Sequence, residues 1–195
     1  MIVVMVSGRA GEGKTTFSNV CINTLKHMEI SSKIVPFAKG VKDVARSMGW
    51  DGIKNEKGRT LLQQVGNCGR DYNPNVWADM AVKDLQLVES LEWKNDGKCQ
   101  IVFIDDWRFL NEGNIVAKVF KDIIKVRIVR DKKYHSLLGT SAYNDCSETS
   151  LPSPEEDFKF SAFYDFIVIN KEGIENLSLI AEAFIKEMLL PKLGG

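Results

Sequence analysis

Residues 8 to 15 read Gly-Arg-Ala-Gly-Glu-Gly-Lys-Thr, and a short apolar run, Ile2 to Val6, comes directly before them. The stretch that follows, Lys14 to Met28, has apolar residues at helical spacing. A strand, a glycine-rich loop and a helix, in this order, form the context that the phosphate-binding motif G-x-x-x-x-G-K-[ST] requires. Glycines allow backbone conformations in which successive N–H groups point at one anion. We therefore predict a nucleoside triphosphate site at this loop.

Side chains of the loop are expected to complete this site. Lys14 can reach the β- and γ-phosphates of ATP, and the Thr15 hydroxyl can ligate Mg²⁺. The N-terminus of the following helix adds partial positive charge. The predicted nucleotide-binding residues are Gly8, Arg9, Ala10, Gly11, Glu12, Gly13, Lys14, Thr15 and Thr16.

The composition is typical of a globular α/β chain without a polyanionic partner. Lys+Arg and Asp+Glu both total 26 in 195 residues, so no overall charge favours a nucleic acid polymer or an anionic membrane. The four cysteines lack the spacing of a zinc site, which favours a reduced, cytoplasmic chain. No apolar run approaches the length of a membrane span. We expect a small-molecule substrate and leave homodimerisation open.

Strand and helix patterns alternate along the chain, which predicts a mainly parallel five-stranded sheet between two layers of helices. Strands are predicted at 2–6, 33–38, 100–106, 123–129 and 163–170. Helices are predicted at 14–28, 38–48, 59–69, 74–93, 111–120 and 174–188, with a glycine-containing loop at 49–58. The polar segment 131–157 has no sustained periodicity and is predicted to be a lid. We interpret 1–195 as one P-loop domain.

Ligands of such sheets bind at the carboxyl ends of the strands, so residues just after each strand are candidates for the site. Asp105 and Asp106 end an apolar strand, where a P-loop protein needs a carboxylate for Mg²⁺. A simple strand-end turn is the alternative, and the phosphate loop in the same chain favours the metal site. Which of the two aspartates serves the metal is left open. Arg70, Arg108 and Arg130 follow predicted strand or helix ends and together suggest a cleft for two phosphorylated substrates.

Several sequence blocks resemble the deoxynucleoside monophosphate kinases of bacteriophages. The stretch 60–70, TLLQQVGNCGR, followed by Pro74-Asn75-Val76-Trp77, is similar to the acceptor-side segment of that family. The block 106–112, DWRFLNE, resembles its D-V-R-F-x-N-E block, with Trp107 in place of a small apolar residue. Residues 147–151, SETSL, and 165–170, DFIVIN, are similar to its lid and final-strand blocks. Thr15 differs from the aspartate that many members carry.

The resemblance implies an adenylate-kinase-like fold that transfers the γ-phosphoryl group of ATP, with Mg²⁺, to a deoxynucleoside 5′-monophosphate in deoxynucleotide metabolism. It implies a phage protein in the host cytoplasm and an acceptor-binding helical segment at about 38–93. Lys14, Arg70, Arg108 and Arg130 would be catalytic, and Lys132 and Lys133 would be further lid cations. The metal would be held by Thr15 with Asp105 or Asp106. The acceptor would contact Phe37, Lys39, Gln64, Arg70, Trp77, Asp106 and Arg108, although a tryptophan on a helix more often packs in the core.

Two alternatives remain open. A P-loop kinase of another small phosphorylated acceptor, such as a phosphomevalonate or dephospho-coenzyme A kinase, has the same general layout. A nucleotide-gated switch is less favoured, because Asn170-Lys171-Glu172-Gly173 has glycine where a guanine-specific N-K-x-D motif has aspartate.

Overall fold

A computed structural model of the chain describes residues 1–92, 100–130, 151, 163–171 and 173–194. Its strands are β1 (Ile2–Ser7), β2 (Ser32–Ile34), β3 (Ile101–Ile104), β4 (Ile123–Arg130) and β5 (Phe166–Asn170). Its helices are α1 (Lys14–His27), α2 (Lys39–Ser47), α3 (Glu56–Tyr72), α4 (Val76–Glu92), α5 (Leu110–Val119), α6 (Ile174–Phe184) and α7 (Leu190–Leu193), with a π-helical segment (Ile185–Leu189) between α6 and α7.

The five strands form one sheet in the order β2-β3-β1-β4-β5, and every pair is parallel. The strand β1 lies at the centre, with Met5 opposite Ile104 of β3 and Ser7 opposite Arg127 of β4. All six β1 residues are buried, as expected for a parallel strand that is covered on both faces. The predicted α/β class and five-stranded parallel sheet are confirmed.

Alternate residues of the strands face two separate cores, so the fold has three layers. Val4 of β1 packs with the apolar faces of α1 and α6, including Phe17 and Phe184. Met5 packs on the other face with residues of α4 and α5, including Leu85 and Val116. Because side chains alternate across a strand, this arrangement places every second strand residue on the same side of the sheet.

Two predicted elements end earlier than the apolar pattern indicated, and a proline explains each difference. The strand predicted at 33–38 ends at Ile34, since Pro36 has no N–H group for the ladder. The closing helix, predicted as continuous from 174 to 188, changes to the π-helical segment after Phe184. Pro191 lies just beyond that segment and cannot donate to the preceding turn.

The predicted loop 49–58 is partly wrong, because α3 begins within it. Asn55 caps this helix, and its Oδ1 accepts a hydrogen bond from the N–H of Gly58 at 2.8 Å. Gly58 suggested a loop, but it is buried in the first turn of α3, where a Cβ would overlap the carbonyl of Ile53. This glycine is therefore required for close packing rather than for a turn.

The chain from Phe163 onward also differs from prediction. The last strand begins at Phe166 rather than at Phe163, and Phe163 instead stacks on Trp107 with ring centroids 5.7 Å apart. The predicted lid lies outside the described residues except for Leu151, which is buried in the core beside α4 and α5. Among the helices that the structure describes, none has the length and apolarity of a membrane span.

Trp77 joins α2, α3 and α4 through its packing. Its indole N–H donates to the carbonyl of Gly66 at 2.9 Å, and the side chain is buried. Gly40 of α2 and Gly69 of α3 both lie against the ring. The structure therefore gives Trp77 the packing role that we weighed against contact with an acceptor base.

Two glycines of α3 provide a matched test of this packing. We expect Gly69→Ala to lower the free energy of unfolding by roughly 1–3 kcal/mol, because its Cβ would overlap the buried Trp77 ring. Gly66→Ala is the control, since its Cβ would meet only the end of the Arg70 side chain and alanine favours a helix by up to about 1 kcal/mol. Urea unfolding of both variants measures the difference. Equal stabilities would contradict the assigned role of Trp77.

Candidate active site

The phosphate loop between β1 and α1 depends on glycine at three positions. Gly8, Gly11 and Gly13 have φ values of 153°, 82° and 102°, as their placement in the motif predicts. A Cβ at Gly8 would lie 2.8 Å from the carbonyl oxygen of Ile128 in β4, and one at Gly13 would lie 2.6 Å from Nδ2 of Asn170. The loop is thus pressed closely against β4 and β5.

Lys14 folds back over the loop that precedes it. Its Nζ donates hydrogen bonds to the carbonyl oxygens of Gly8 and Arg9, the second at 3.0 Å. These contacts keep the ammonium group at the loop, where the motif requires a cation for the phosphates.

Thr15 and Asp105 are brought together across the carboxyl edge of the sheet. The Thr15 hydroxyl donates to Oδ2 of Asp105 at 2.6 Å, although 90 residues separate the two in sequence. A hydroxyl and a carboxylate at this spacing are a donor set that Mg²⁺ accepts together with phosphate oxygens and water. Of the two aspartates left open by the sequence, Asp105 is the one beside Thr15.

Asp106 instead holds the loop between β2 and α2. Its two carboxylate oxygens accept hydrogen bonds from the N–H groups of Phe37 and Ala38, at 2.8 and 2.9 Å. Burial raises the pKa of Asp106, and the charge of Asp105 raises it further, while the two N–H donors and Arg108 lower it. Successive residues after β3 thus serve opposite faces of the sheet.

The donor side of the edge includes one predicted cation and one residue that the sequence analysis did not assign. Nη1 of Arg130 donates to the carbonyl oxygen of Gly11 at 3.2 Å, so this arginine lies beside the phosphate loop. Asn170, at the end of β5, donates from Nδ2 to the carbonyl oxygen of Glu12 at 2.7 Å. The position of Asn170 at a strand end was the available signal, but the sequence analysis placed it only in the final-strand block and in an incomplete guanine-recognition motif.

Arg70 and the block 106–112 lie together on the opposite side. The Arg70 guanidinium carbon lies 4.6 Å from the centroid of the Phe109 ring, and its Nη2 donates to Asn67. Oε2 of Glu112 accepts from the N–H groups of Arg108 and Phe109, both at 3.0 Å. Asn111 donates to the carbonyl oxygen of Pro74 and so joins α5 to the start of α4. The block therefore fixes the orientation of the acceptor-side helices relative to the sheet.

Glu112 is buried among these groups and carries a perturbed carboxyl. The net result is a pKa raised from 4.5 to about 7. Burial is the main cause, and the charge of Asp106 adds to it. The N–H donors of Arg108 and Phe109 and the charge of Arg70 act in the opposite direction. Burial of this residue was not predicted, because a glutamate in the first turn of a helix is usually exposed.

Lys54 lies within electrostatic range of Lys42, Arg59, Arg108 and Asp106, and none of Lys42, Lys54 and Arg59 was predicted. The α2–α3 cation cluster consists of Lys42, Lys54 and Arg59. Partial desolvation lowers the pKa of Lys54, and the charges of Lys42, Arg59 and Arg108 lower it further, while Asp106 raises it. Within the described part of the chain, none of the three cluster side chains forms an ion pair. Clustered like charges are a feature of anion-binding sites.

Other predicted acceptor residues are placed differently. Phe37 is buried in the core, and its contribution to the edge is its backbone N–H. Lys39 pairs with Asp84 at 3.1 Å and Asp43 at 3.4 Å, and the hydrogen bond that it donates to Asp84 is the main reason that its pKa is raised. Gln64 lies exposed on α3. Trp107 is buried, donates to the carbonyl of Phe109 at 2.8 Å and packs on Gly113.

The predictions for Lys132 and Lys133 and for the lid block 147–151 concern residues outside the described ranges, apart from Leu151.

Two solved kinase structures superpose on nearly the whole of this chain. An APS kinase of Mycobacterium tuberculosis superposes with a TM-score of 0.50 and 11% identity, over 95% of this chain and 97% of that one. A sugar kinase from a Janibacter species gives a TM-score of 0.50 and 13% identity, over 99% and 98% of the two chains. The chain has a P-loop kinase fold.

Weaker similarity extends to a dephospho-CoA kinase from Campylobacter jejuni, with a TM-score of 0.47 and 12% identity over 95% of this chain and 96% of that one. No family model and no curated protein matches the sequence. At these identities the similarity establishes the fold of this P-loop kinase-like chain and not its acceptor.

The buried carboxyl of Glu112 generates a pH-dependent prediction. Because its folded pKa of about 7 lies above the unfolded value of 4.5, the folded state binds more protons between these values, and stability falls as pH rises. Glu112→Gln should remove up to roughly 3 kcal/mol of this fall, since a Gln Oε1 can accept the same two N–H bonds.

Urea unfolding at pH 5 and pH 8 measures this effect. Glu175→Gln is the control, because Glu175 occupies the first turn of α6 but is exposed. An equal pH dependence in wild type and Glu112→Gln would contradict the assignment.

Proposed function

We propose that this chain transfers the γ-phosphoryl group of ATP to a deoxynucleoside 5′-monophosphate and releases the diphosphate and ADP. The observation that carries the proposal is the meeting of two charged half-sites at one sheet edge. One half is the phosphate loop with Lys14, and the other is the α2–α3 cation cluster with Arg108. Asp105 contacts the first half through Thr15, and Asp106 acts electrostatically on Lys54 of the second half.

The donor half fits the triphosphate of ATP. The loop glycines direct backbone N–H groups inward, and Lys14 and Arg130 add cationic groups at the same place. Phosphoryl transfer depends mainly on positioning and charge neutralisation, which such a set of donors provides without a covalent intermediate.

The Thr15–Asp105 pair fits Mg²⁺ bound to the triphosphate. Within the described residues no group of three or more His, Cys, Asp or Glu side chains could hold a metal by itself, so a metal at this place would need phosphate oxygens as further ligands. When bound, the ion would neutralise charge on the β- and γ-phosphates.

The acceptor half favours an anionic acceptor. A neutral sugar would leave the clustered charges of Lys42, Lys54 and Arg59 uncompensated, whereas a phosphate group can accept hydrogen bonds from several cations. The resemblance of residues 60–77 and 106–112 to phage deoxynucleoside monophosphate kinases supports a nucleotide as this acceptor. A cytoplasmic location, in a phage-infected host, belongs to the same proposal.

A second candidate is a kinase of another phosphorylated small molecule. The similar structures include kinases of different acceptors, and the dephospho-CoA kinase among them acts on a phosphorylated compound of another class. The cation cluster would suit this acceptor equally, so the two candidates differ in the base-binding region alone. A nucleotide-gated switch is less favoured, because a protein that binds a single nucleotide does not require a second charged half-site for an acceptor.

Acceptor dependence of ADP release tests the proposal. Purified protein is incubated with Mg-ATP and, in turn, each deoxynucleoside and ribonucleoside monophosphate, dephospho-CoA and phosphomevalonate. We expect strong stimulation by one or a few deoxynucleotides. Lys14→Ala should reduce the stimulated rate by roughly a hundredfold or more with the fold retained, because the variant loses a cation that meets the transferred phosphate.

Stimulation by dephospho-CoA or phosphomevalonate alone would select the second candidate. Slow hydrolysis that no acceptor increases would support a switch instead.

The α2–α3 cation cluster provides a test of the acceptor side. Lys54→Met should raise the acceptor KM by roughly tenfold and leave the KM for ATP unchanged, because a charge-assisted contact with the acceptor is lost. Lys57→Met is the control, since Lys57 is exposed in the first turn of α3 and is not among the main charges that shift the pKa of Lys54. Steady-state kinetics with each substrate varied separately give both constants. Equal acceptor KM values in the two variants would show that the cation cluster does not bind the acceptor.

A further inference from the structure

The phosphate loop contains a buried carboxylate that its predicted role does not explain. Glu12 is 1% exposed, and its Oε2 accepts a hydrogen bond from the N–H of Arg9, inside the loop. A Cβ on Gly8 would lie 2.9 Å from this oxygen, so glycine at position 8 is also what allows the carboxylate to fold back under the loop. A buried negative charge at a site for phosphates opposes binding unless another group neutralises it.

Arg127 is the cation placed to neutralise Glu12. It is 2% exposed, and its Nη2 lies 4.0 Å from Oε2 of Glu12. Arginine is rarely buried inside a parallel sheet, and Arg127 lies on β4 directly opposite Ser7, the last residue before the loop. The register of β1 and β4 therefore fixes this guanidinium directly beneath the start of the phosphate loop.

Two further side chains hold this pair in place. Tyr164 is buried beside Ser7 and Arg127, and burial raises its pKa, whereas both side chains lower it less strongly. Asn170 donates to the backbone carbonyl of Glu12 from the other side, at 2.7 Å. Side chains of β4 and β5 thus both approach one residue of the loop.

We propose that Arg127 is a positioning residue for nucleotide binding, whose guanidinium neutralises the buried Glu12 carboxylate and so allows the loop to accept phosphates. This inference rests on the proposed use of the loop for ATP and adds a role for residues that the motif leaves unspecified. The effect of losing Arg127 should grow with the number of phosphates on the ligand, because each added charge is repelled by the Glu12 charge once the guanidinium is removed. A residue that only stabilises the fold would affect all nucleotides alike.

Isothermal titration of Mg-free ATP, ADP and AMP against folded wild type and variants tests this proposal. We expect Arg127→Met to raise the Kd for ATP by roughly ten- to a hundredfold, the Kd for ADP by less and that for AMP least. Glu12→Gln introduced into Arg127→Met should restore ATP binding to within about threefold of wild type, and Arg127→Lys should lose little. Lys125→Met is the matched control, because it removes a cation from the same face of β4. The Nζ of Lys125 lies 4.7 Å from the centroid of the Phe163 ring.

If Arg127→Met does not fold, Arg127→Gln replaces it in the same series. Wild-type affinity in the folded single variant, an equal loss for the three nucleotides, or no recovery in the double variant would each overturn the proposal. Failure of the wild type to bind ATP would instead count against the proposed function, so the two failures are distinguishable.

Discussion

Parallel pairing of β1 with β3 on one side and β4 on the other determines the rest of this molecule. In parallel strands the carboxyl ends lie at the same edge, so the phosphate loop, Asp105 and Arg130 are neighbours although more than a hundred residues separate the first from the last. The pairing is stabilised by burial of both faces of β1, whose residues contribute alternately to two apolar cores. A site made from three distant segments therefore follows from the packing of one strand.

The same alternation of side chains places consecutive residues of β3 on opposite faces of the sheet. Ile101 and Phe103 face the core of α1, whereas Val102 and Ile104 face the core of α4 and α5. Continuing past the strand, Asp105 reaches Thr15 of α1, and Asp106 reaches the loop that begins α2. One short run of chain thus contacts the donor side with one carboxylate and holds the acceptor-side helix with the next. The buried carboxylate of Asp106 thus helps to fix the position of α2, and with it Lys42.

Sequence patterns predicted the parts of this architecture that depend on local chemistry. The loop glycines, the buried strands and the amphipathic helices each leave a local signature, and the structure confirms the five strands and most helix bounds within a few residues. The start of α3 was predicted wrongly because a glycine in the sequence can indicate either a turn or close packing, and Gly58 was interpreted as part of a turn. Lys42, Lys54 and Arg59 were missed for another reason. They come from three places in the α2–α3 region, and only the folded chain places Lys54 within range of the charges of Lys42, Arg59 and Asp106.

The phosphate-binding motif allows any residue at its four x positions, but the residues at these positions have different structural roles in this chain. Glu12 occupies such a position, yet its burial would be unfavourable without the guanidinium of Arg127. Glu112, the other buried glutamate of the edge, lies instead on two backbone N–H groups and has a raised pKa. Backbone N–H groups alone do not offset the burial of Glu112, whose pKa stays raised. Glu12 instead has a buried guanidinium close by, and this pairing accounts for an arginine inside the sheet at a position where an apolar residue would otherwise be expected.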